Sequence, residues 1–134
     1  WSPDGKQVAF VSDRNGNMDL WVRELATGTE RCVVDLPDDL NFPTWSPDGT
    51  KIAFYQGDAR NAWGRGTLQT VDVQSEIVAQ HHESLFVPSQ PTWSPDGKTI
   101  AMSSLQVYSS RYQEGVSDCF HLFIHYRQSK CTRA

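Results

Sequence analysis

One pentapeptide constrains this chain more than anything else in it. Trp-Ser-Pro-Asp-Gly occurs at Trp1–Gly5, Trp45–Gly49 and Trp93–Gly97, at spacings of 44 and 48 residues. A period in that range is the signature of a repeat architecture, in which each unit buries its apolar face on its neighbours. The likeness continues beyond the pentapeptide. Short apolar runs follow each copy: Gln7-Val8-Ala9-Phe10-Val11, Lys51-Ile52-Ala53-Phe54-Tyr55 and Thr99-Ile100-Ala101-Met102. Pro-Thr precedes the second and third copies, at Pro43-Thr44 and Pro91-Thr92.

The pentapeptide has a mechanical reading. Pro favours the second position of a type I turn and Gly the fourth. Pro3, Asp4 and Gly5 fit that register, as do Pro47, Asp48 and Gly49, and Pro95, Asp96 and Gly97. The glycine is free to take positive φ and so to close a hairpin loop. Each copy is therefore expected to join a strand ending in Trp (Trp1, Trp45, Trp93) to a strand beginning one or two residues after Gly. The indole supplies a large apolar plate to press on the next unit.

Alternation and turn residues place further strands. In the first repeat these are Gln7–Ser12, Asp19–Leu25 and Glu30–Leu36, separated by Asp13-Arg14-Asn15-Gly16-Asn17 and Ala26-Thr27-Gly28. The second repeat offers Asn41–Trp45, Lys51–Gln56, Leu68–Val73 and Glu76–His81. The third offers Ser89–Trp93, Thr99–Leu105 and Asp118–Tyr126. Helical periodicity is absent. Trp1 opens the sequence in mid-repeat, so the chain reads as a fragment whose first unit lacks one strand. The expected organisation is three repeats, 1–38, 39–86 and 87–126, followed by an irregular tail at 127–134.

The run from Trp1 to Val22, with its Trp-Ser-Pro-Asp-Gly, Asp-Arg-Asn-Gly-Asn and Asp-Leu-Trp-Val, resembles the TolB-type β-propeller repeat family, which is WD40-like in architecture. The other two repeats are similar through the pentapeptide and the strand after it, so the resemblance covers residues 1–126. It implies an all-β fold of four-stranded antiparallel blades. Ten strands make about two and a half blades, a partial propeller, where a closed ring takes four to eight. Such propellers occur in TolB, in the gating domain of prolyl-oligopeptidase-type peptidases, and fused to amidohydrolases. The insertion from Tyr108 to Gly115 is similar to those of amidohydrolase-linked propellers. By this resemblance the compartment is periplasmic or secreted.

Composition excludes several functions. The net charge is −4, which does not suit a nucleic-acid partner. Arg127, Lys130 and Arg133 make the end locally basic without forming a phosphate groove. Three cysteines with no Cys-x-x-Cys pair support neither a disulfide framework nor a zinc knuckle. No membrane span is visible.

Catalytic and cofactor motifs are not found. There is no Gly-x-Ser-x-Gly, no glycine-rich phosphate loop and no His-x-His pair. Asp13, Asn15, Asn17, Asp19 and Glu24 carry the oxygen ligands of a calcium loop, but the glycine stands fourth rather than sixth and a hairpin explains the same residues. His81-His82-Glu83 lacks a third ligand at a useful spacing. His121 and His125 lie four apart, on one face of an alternating strand. No catalytic, cofactor or metal site is expected.

What remains is surface. The two long connections, Gly57–Gly66 and Gln106–Val116, combine Trp63, Tyr108 and Tyr112 with Arg60, Arg65 and Arg111. Aromatic residues with Arg are the composition of interface anchors. The alternative is that these residues pack on their own blade. The expected function is a non-catalytic module binding a protein partner, or an accessory propeller bound to the parent chain's own further blades or to a hydrolase catalytic domain outside this sequence.

Overall fold

The computed structural model describes residues 1–57, 66–85, 88–105 and 119–125. Ten strands run through them: β1 (Gln7–Ser12), β2 (Asp19–Glu24), β3 (Glu30–Val34), β4 (Leu40–Trp45), β5 (Lys51–Gln56), β6 (Gly66–Asp72), β7 (Val78–Leu85), β8 (Thr92–Trp93), β9 (Thr99–Leu105) and β10 (Cys119–His125). All pairing is antiparallel between strands consecutive in the chain. It builds three sheets, β1-β2-β3, β4-β5-β6-β7 and β8-β9-β10. The fold is all-β, a partial propeller.

Each repeated pentapeptide forms the same turn. The Gly5 N–H donates to Ser2 O at 2.9 Å and Ser2 N–H to Gln7 O at 2.8 Å; Gly49 and Ser46, then Gly97 and Ser94, repeat both bonds. The three glycines sit at φ of 70°, 72° and 68°, a region closed to most side chains.

Period-two alternation then separates two faces on every sheet. On β5, Ile52 and Phe54 point toward the first sheet, where they join Leu20, Val22, Val33, Val34, Leu40, Trp45, Val71 and Val73 in one buried cluster. Ala53 and Tyr55 point the other way and pack with Leu68, Trp93, Ile100 and Met102. The middle sheet is therefore apolar on both sides, and the core is two layers of side chains between three sheets. One Tyr–Gly contact shows how close this packing is. A methyl group on Gly66 would overlap the ring and hydroxyl of Tyr55, which is fully buried.

Most strands match the sequence expectation to within two residues at each end, β7 runs on to Leu85 past the expected His81, and three of the limits that differ are instructive. First, β3 ends at Val34, before Leu36, because the Leu36 carbonyl accepts the side-chain amide of Asn17 at 2.5 Å instead of a ladder bond. Second, β7 begins at Val78, not Glu76. Glu76 occupies φ 60° in the preceding turn, its N–H on Asp72 O at 2.8 Å, as Gly28 N–H sits on Glu24 O at 2.8 Å in the first sheet. Third, β8 is reduced to Thr92–Trp93. Pro91 has no N–H to give, and Ser89 substitutes by taking Ser103 N–H on its hydroxyl at 2.9 Å.

Candidate functional site

The six side chains picked out as partner anchors, Arg60, Trp63, Arg65, Tyr108, Arg111 and Tyr112, lie outside the described residues. The strand ends that bound them are described. Gln56 and Gly66 bound the first long connection, and Leu105 and Cys119 the second. Ser12 and Asp19 bound the equivalent short hairpin in the first sheet.

The repeated turns form a column. Pro3 Cδ lies 3.6 Å from where a side chain on Gly49 would begin, and Pro47 Cδ lies 3.8 Å from the same point on Gly97. Each proline thus faces the glycine of the next copy. Within each turn a serine hydroxyl does two tasks. Ser46 Oγ–H donates to Asp48 Oδ1 at 2.6 Å and accepts Lys51 N–H at 2.9 Å. Asp48 Oδ1 also accepts Thr50 N–H at 3.0 Å. Ser2 with Asp4, and Ser94 with Asp96, repeat the set. The serine hydroxyl, and after it the backbone amide, hold Asp4, Asp48 and Asp96 below the usual carboxylate range.

The tryptophans of the three turns differ in surroundings. Trp45 and Trp93 are each 9% exposed; Trp1 is 76% exposed. The indole of Trp93 donates to the Thr44 carbonyl of the preceding sheet at 3.1 Å. The corresponding nitrogen of Trp45 is buried and has no hydrogen-bond partner among the described residues.

Several contacts between and on the sheets were not expected from the sequence. Arg31 on β3 reaches the β6–β7 turn, donating to Val73 O at 2.6 Å and pairing with Glu76 at 2.7 Å. Met18 in the first hairpin donates its N–H to Asp39 Oδ1 at 3.0 Å and accepts Leu40 N–H at 2.7 Å, tying the first sheet to the start of β4. On the outward side of the first sheet the Arg14 guanidinium lies 4.3 Å from the Trp21 ring centre and 5.6 Å from that of Phe10, and pairs with Glu30 at 2.5 Å. Glu30 is held low chiefly by that hydrogen bond. The spacing of 44 residues between the first two turns carries Gly28 onto Asp72 and not onto Glu76, so the repeat offset alone does not give the first of these.

The calcium-like hairpin bonds to itself. Asn15 and Asn17 direct their amide N–H groups at the buried carboxylate of Asp19, each at 3.3 Å. His81 shares a 2.7 Å hydrogen bond with Thr70 Oγ1, and burial lowers its pKa. His82 pairs in register with Leu68, and its buried Nδ1 lacks a hydrogen-bond partner among the described residues. His121 and His125 stand opposite Ser103 and Thr99 on β10. Among the described residues no three His, Cys, Asp or Glu gather where a metal ion could sit. No helix there is long and apolar enough to cross a membrane.

Comparison with known proteins follows the same repeat. The chain is 43% identical over 53 residues to the uncharacterized peptidase YuxL of Bacillus subtilis, covering 39% of this chain and 8% of that protein. It is 44% identical over 55 residues to the Tol-Pal system protein TolB of Alcanivorax borkumensis, covering 40% of this chain and 12% of that protein. The structure of TolB from Acinetobacter baumannii superposes with a TM-score of 0.66 at 26% identity, over 78% of this chain and 25% of that one. This chain thus spans a small part of the relatives it matches. The family described as the TolB beta propeller domain matches residues 1–126, the stretch that carries all three turns and all ten strands, and the chain belongs to that family.

Proposed function

We propose that this part of the propeller is a non-catalytic module for protein–protein interaction, used as in a TolB-like protein. The supporting observation is the common placement of the strand ends that bound the connections. The ends of β5 and β6, and of β9 and β10, are equivalent in sheets that stack on each other. Connections leaving equivalent ends share one edge of the array, and loops on such an edge are where propellers present binding residues. On this reading Arg60, Trp63, Arg65, Tyr108, Arg111 and Tyr112 act together on one partner. A periplasmic or secreted location goes with this reading. The double variant Trp63→Ala, Arg111→Ala tests it. Partner capture by the full-length protein falls at least roughly tenfold while the melting temperature stays unchanged. A large melting shift means that these residues are core and ends the proposal.

A second reading is favoured by the 43% identity to a protein named as a peptidase. Here the repeats belong to the accessory propeller of a larger hydrolase, whose catalytic domain lies outside these residues. The mass of the native polypeptide separates the two readings. Six or seven blades need roughly 300 residues, so a product two or three times larger favours the hydrolase.

A further inference from the structure

We propose that the outer edge of β7 takes an added strand from a partner protein, an extended segment that pairs with the backbone of β7 and sets a large apolar side chain into the cavity beside Ala79. The added strand is a fifth on a sheet that already has four, and the inference holds under either functional reading.

The outer strands of the first two sheets answer one hazard in opposite ways. A strand at the edge of a sheet presents a row of backbone groups to any extended chain, and charged side chains there discourage pairing. β3 closes the first sheet and β7 the second, each paired with one strand among the described residues. The turns that lead into them share one bond, Gly28 N–H on Glu24 O and Glu76 N–H on Asp72 O, so Glu30 matches Val78 and Arg31 matches Ala79. On β3 both positions are charged and engaged, Glu30 with Arg14 and Arg23, and Arg31 with Glu76. On β7 both are apolar. No Asp, Glu, Lys or Arg stands between Ile77 and His82, and Ile77 and Val78 are 68% and 37% exposed.

The second observation is the space at the position where β3 carries Arg31. A cavity of about 220 Å³ lies at Ala79, lined also by Lys51, Thr70, Asp72, Ser75 and Ile77. Its polar groups already answer one another. Asp72 Oδ1 accepts the N–H groups of Gln74 and Ser75 at 3.1 and 2.9 Å and the Ser75 hydroxyl at 3.1 Å, and Asp72 Oδ2 faces Lys51 Nζ at 3.6 Å. Thr70 Oγ1 is engaged with His81. A charged guest finds no counter-ion left over among the described residues. An apolar side chain gains from Ile77, Ala79 and the Thr70 methyl without stripping a polar group of its partner. Strand addition divides its tasks in this way, with the backbone supplying affinity and a pocket for alternate side chains supplying selectivity. A second copy of β7 suits the cavity poorly, since its middle offers Gln80 and two histidines. The occupant is therefore a strand of different sequence, with Leu, Ile or Phe facing the cavity.

The test uses the full-length protein and a capped peptide of alternating Thr and Leu with a terminal Lys, matched to the 8 residues of β7. Saturating peptide is expected to slow hydrogen exchange at the β7 amides about tenfold or more. Val78→Glu with Ala79→Arg copies the β3 edge onto β7. It is expected to weaken binding at least about tenfold while the melting temperature holds, since β3 carries the same pair in a folded sheet. Should this variant fail to fold, two further peptides on the unaltered protein decide. One is N-methylated at alternate residues and cannot complete a ladder; the other has Ser in place of Leu. Both are expected to lose the protection. No protection by the Thr–Leu peptide, or equal protection by the N-methylated one, overturns strand addition. Equal protection by the Thr–Ser peptide overturns the role of the cavity. Self-association of the protein, seen in sedimentation and abolished by the double variant, overturns the choice of a foreign strand.

Discussion

Arg31, on β3 of the first sheet, places its guanidinium 2.7 Å from the carboxylate of Glu76, in the turn between β6 and β7 of the second. The same guanidinium holds the Val73 carbonyl at 2.6 Å. One side chain thus clasps two sheets at their polar rim.

The two halves of this clasp differ in worth. Both charged groups are about half exposed, so the ion pair itself contributes at most about 1 kcal/mol. Arg31→Ala also leaves the Val73 carbonyl without its charged donor, and is expected to cost about 1–2 kcal/mol. Glu76→Gly loses the pair but relieves a left-handed backbone worth about 1 kcal/mol, so it is expected to stay within about 0.5 kcal/mol of neutral. Urea denaturation of both variants checks the contrast. Equal losses would mean that the ion pair outweighs the carbonyl bond.

Tyr55 and Gly66 are set against each other on β5 and β6. Gly66→Ala drives a methyl into a fully buried ring, and a loss of about 3 kcal/mol or more is expected. Tyr55→Leu in the same chain makes room and returns part of it. Measured stability that is indifferent to Tyr55 would refute the clash.

Three tryptophans of identical local sequence are expected to give three different results. Trp45→Ala opens the first core and costs about 3–5 kcal/mol. Trp93→Phe keeps a ring but strips Thr44 O of its donor, for about 1 kcal/mol. Trp1→Ala is expected to change stability by less than about 0.5 kcal/mol. Thermal unfolding of the three variants establishes the order.

Acid should act through the turns. Asp4, Asp48 and Asp96 have folded pKa values below the ordinary carboxylate value, so the folded state binds fewer protons than the unfolded one in that range. Their contribution is whole above about pH 4 and is lost as pH falls through the depressed folded values. Ser46→Ala removes the leading cause at Asp48. It is expected to reduce stability at neutral pH and to flatten the acid limb. An unchanged limb would mean that other carboxylates govern it.

Much of this fold was legible because its punctuation is chemical. Pro and Gly fix backbone angles by covalent structure, so Pro47 and Gly49 announce a turn whatever surrounds them. The strands β1, β5 and β9 begin and end where alternation puts them. What stayed hidden depends on neighbours. Glu76 takes the angle that Gly28 takes, held by Asp72, and nothing in its own chemistry says so. Phe42, at φ 56° where β4 shifts register, is similar. The Arg14 stack on Trp21 and Phe10 needs a hairpin to bring together three residues that the sequence keeps apart. The proposed anchors were read from composition alone, and composition does not say which way a loop points.

The column of turns, Pro3 against Gly49 and Pro47 against Gly97, has a consequence for how such an array tolerates change. It works as the spine of a bound book. The leaves are stitched at this margin, and the connections at the opposite margin differ in length without altering the thickness of the binding. The spacing from one stitch to the next differs, 44 residues and then 48, with the added length taken between the stitches and the proline-to-glycine contact kept at 3.6 and 3.8 Å. Pages can be lengthened there; a stitch at Gly49 or Gly97 cannot be widened without prising neighbouring leaves apart.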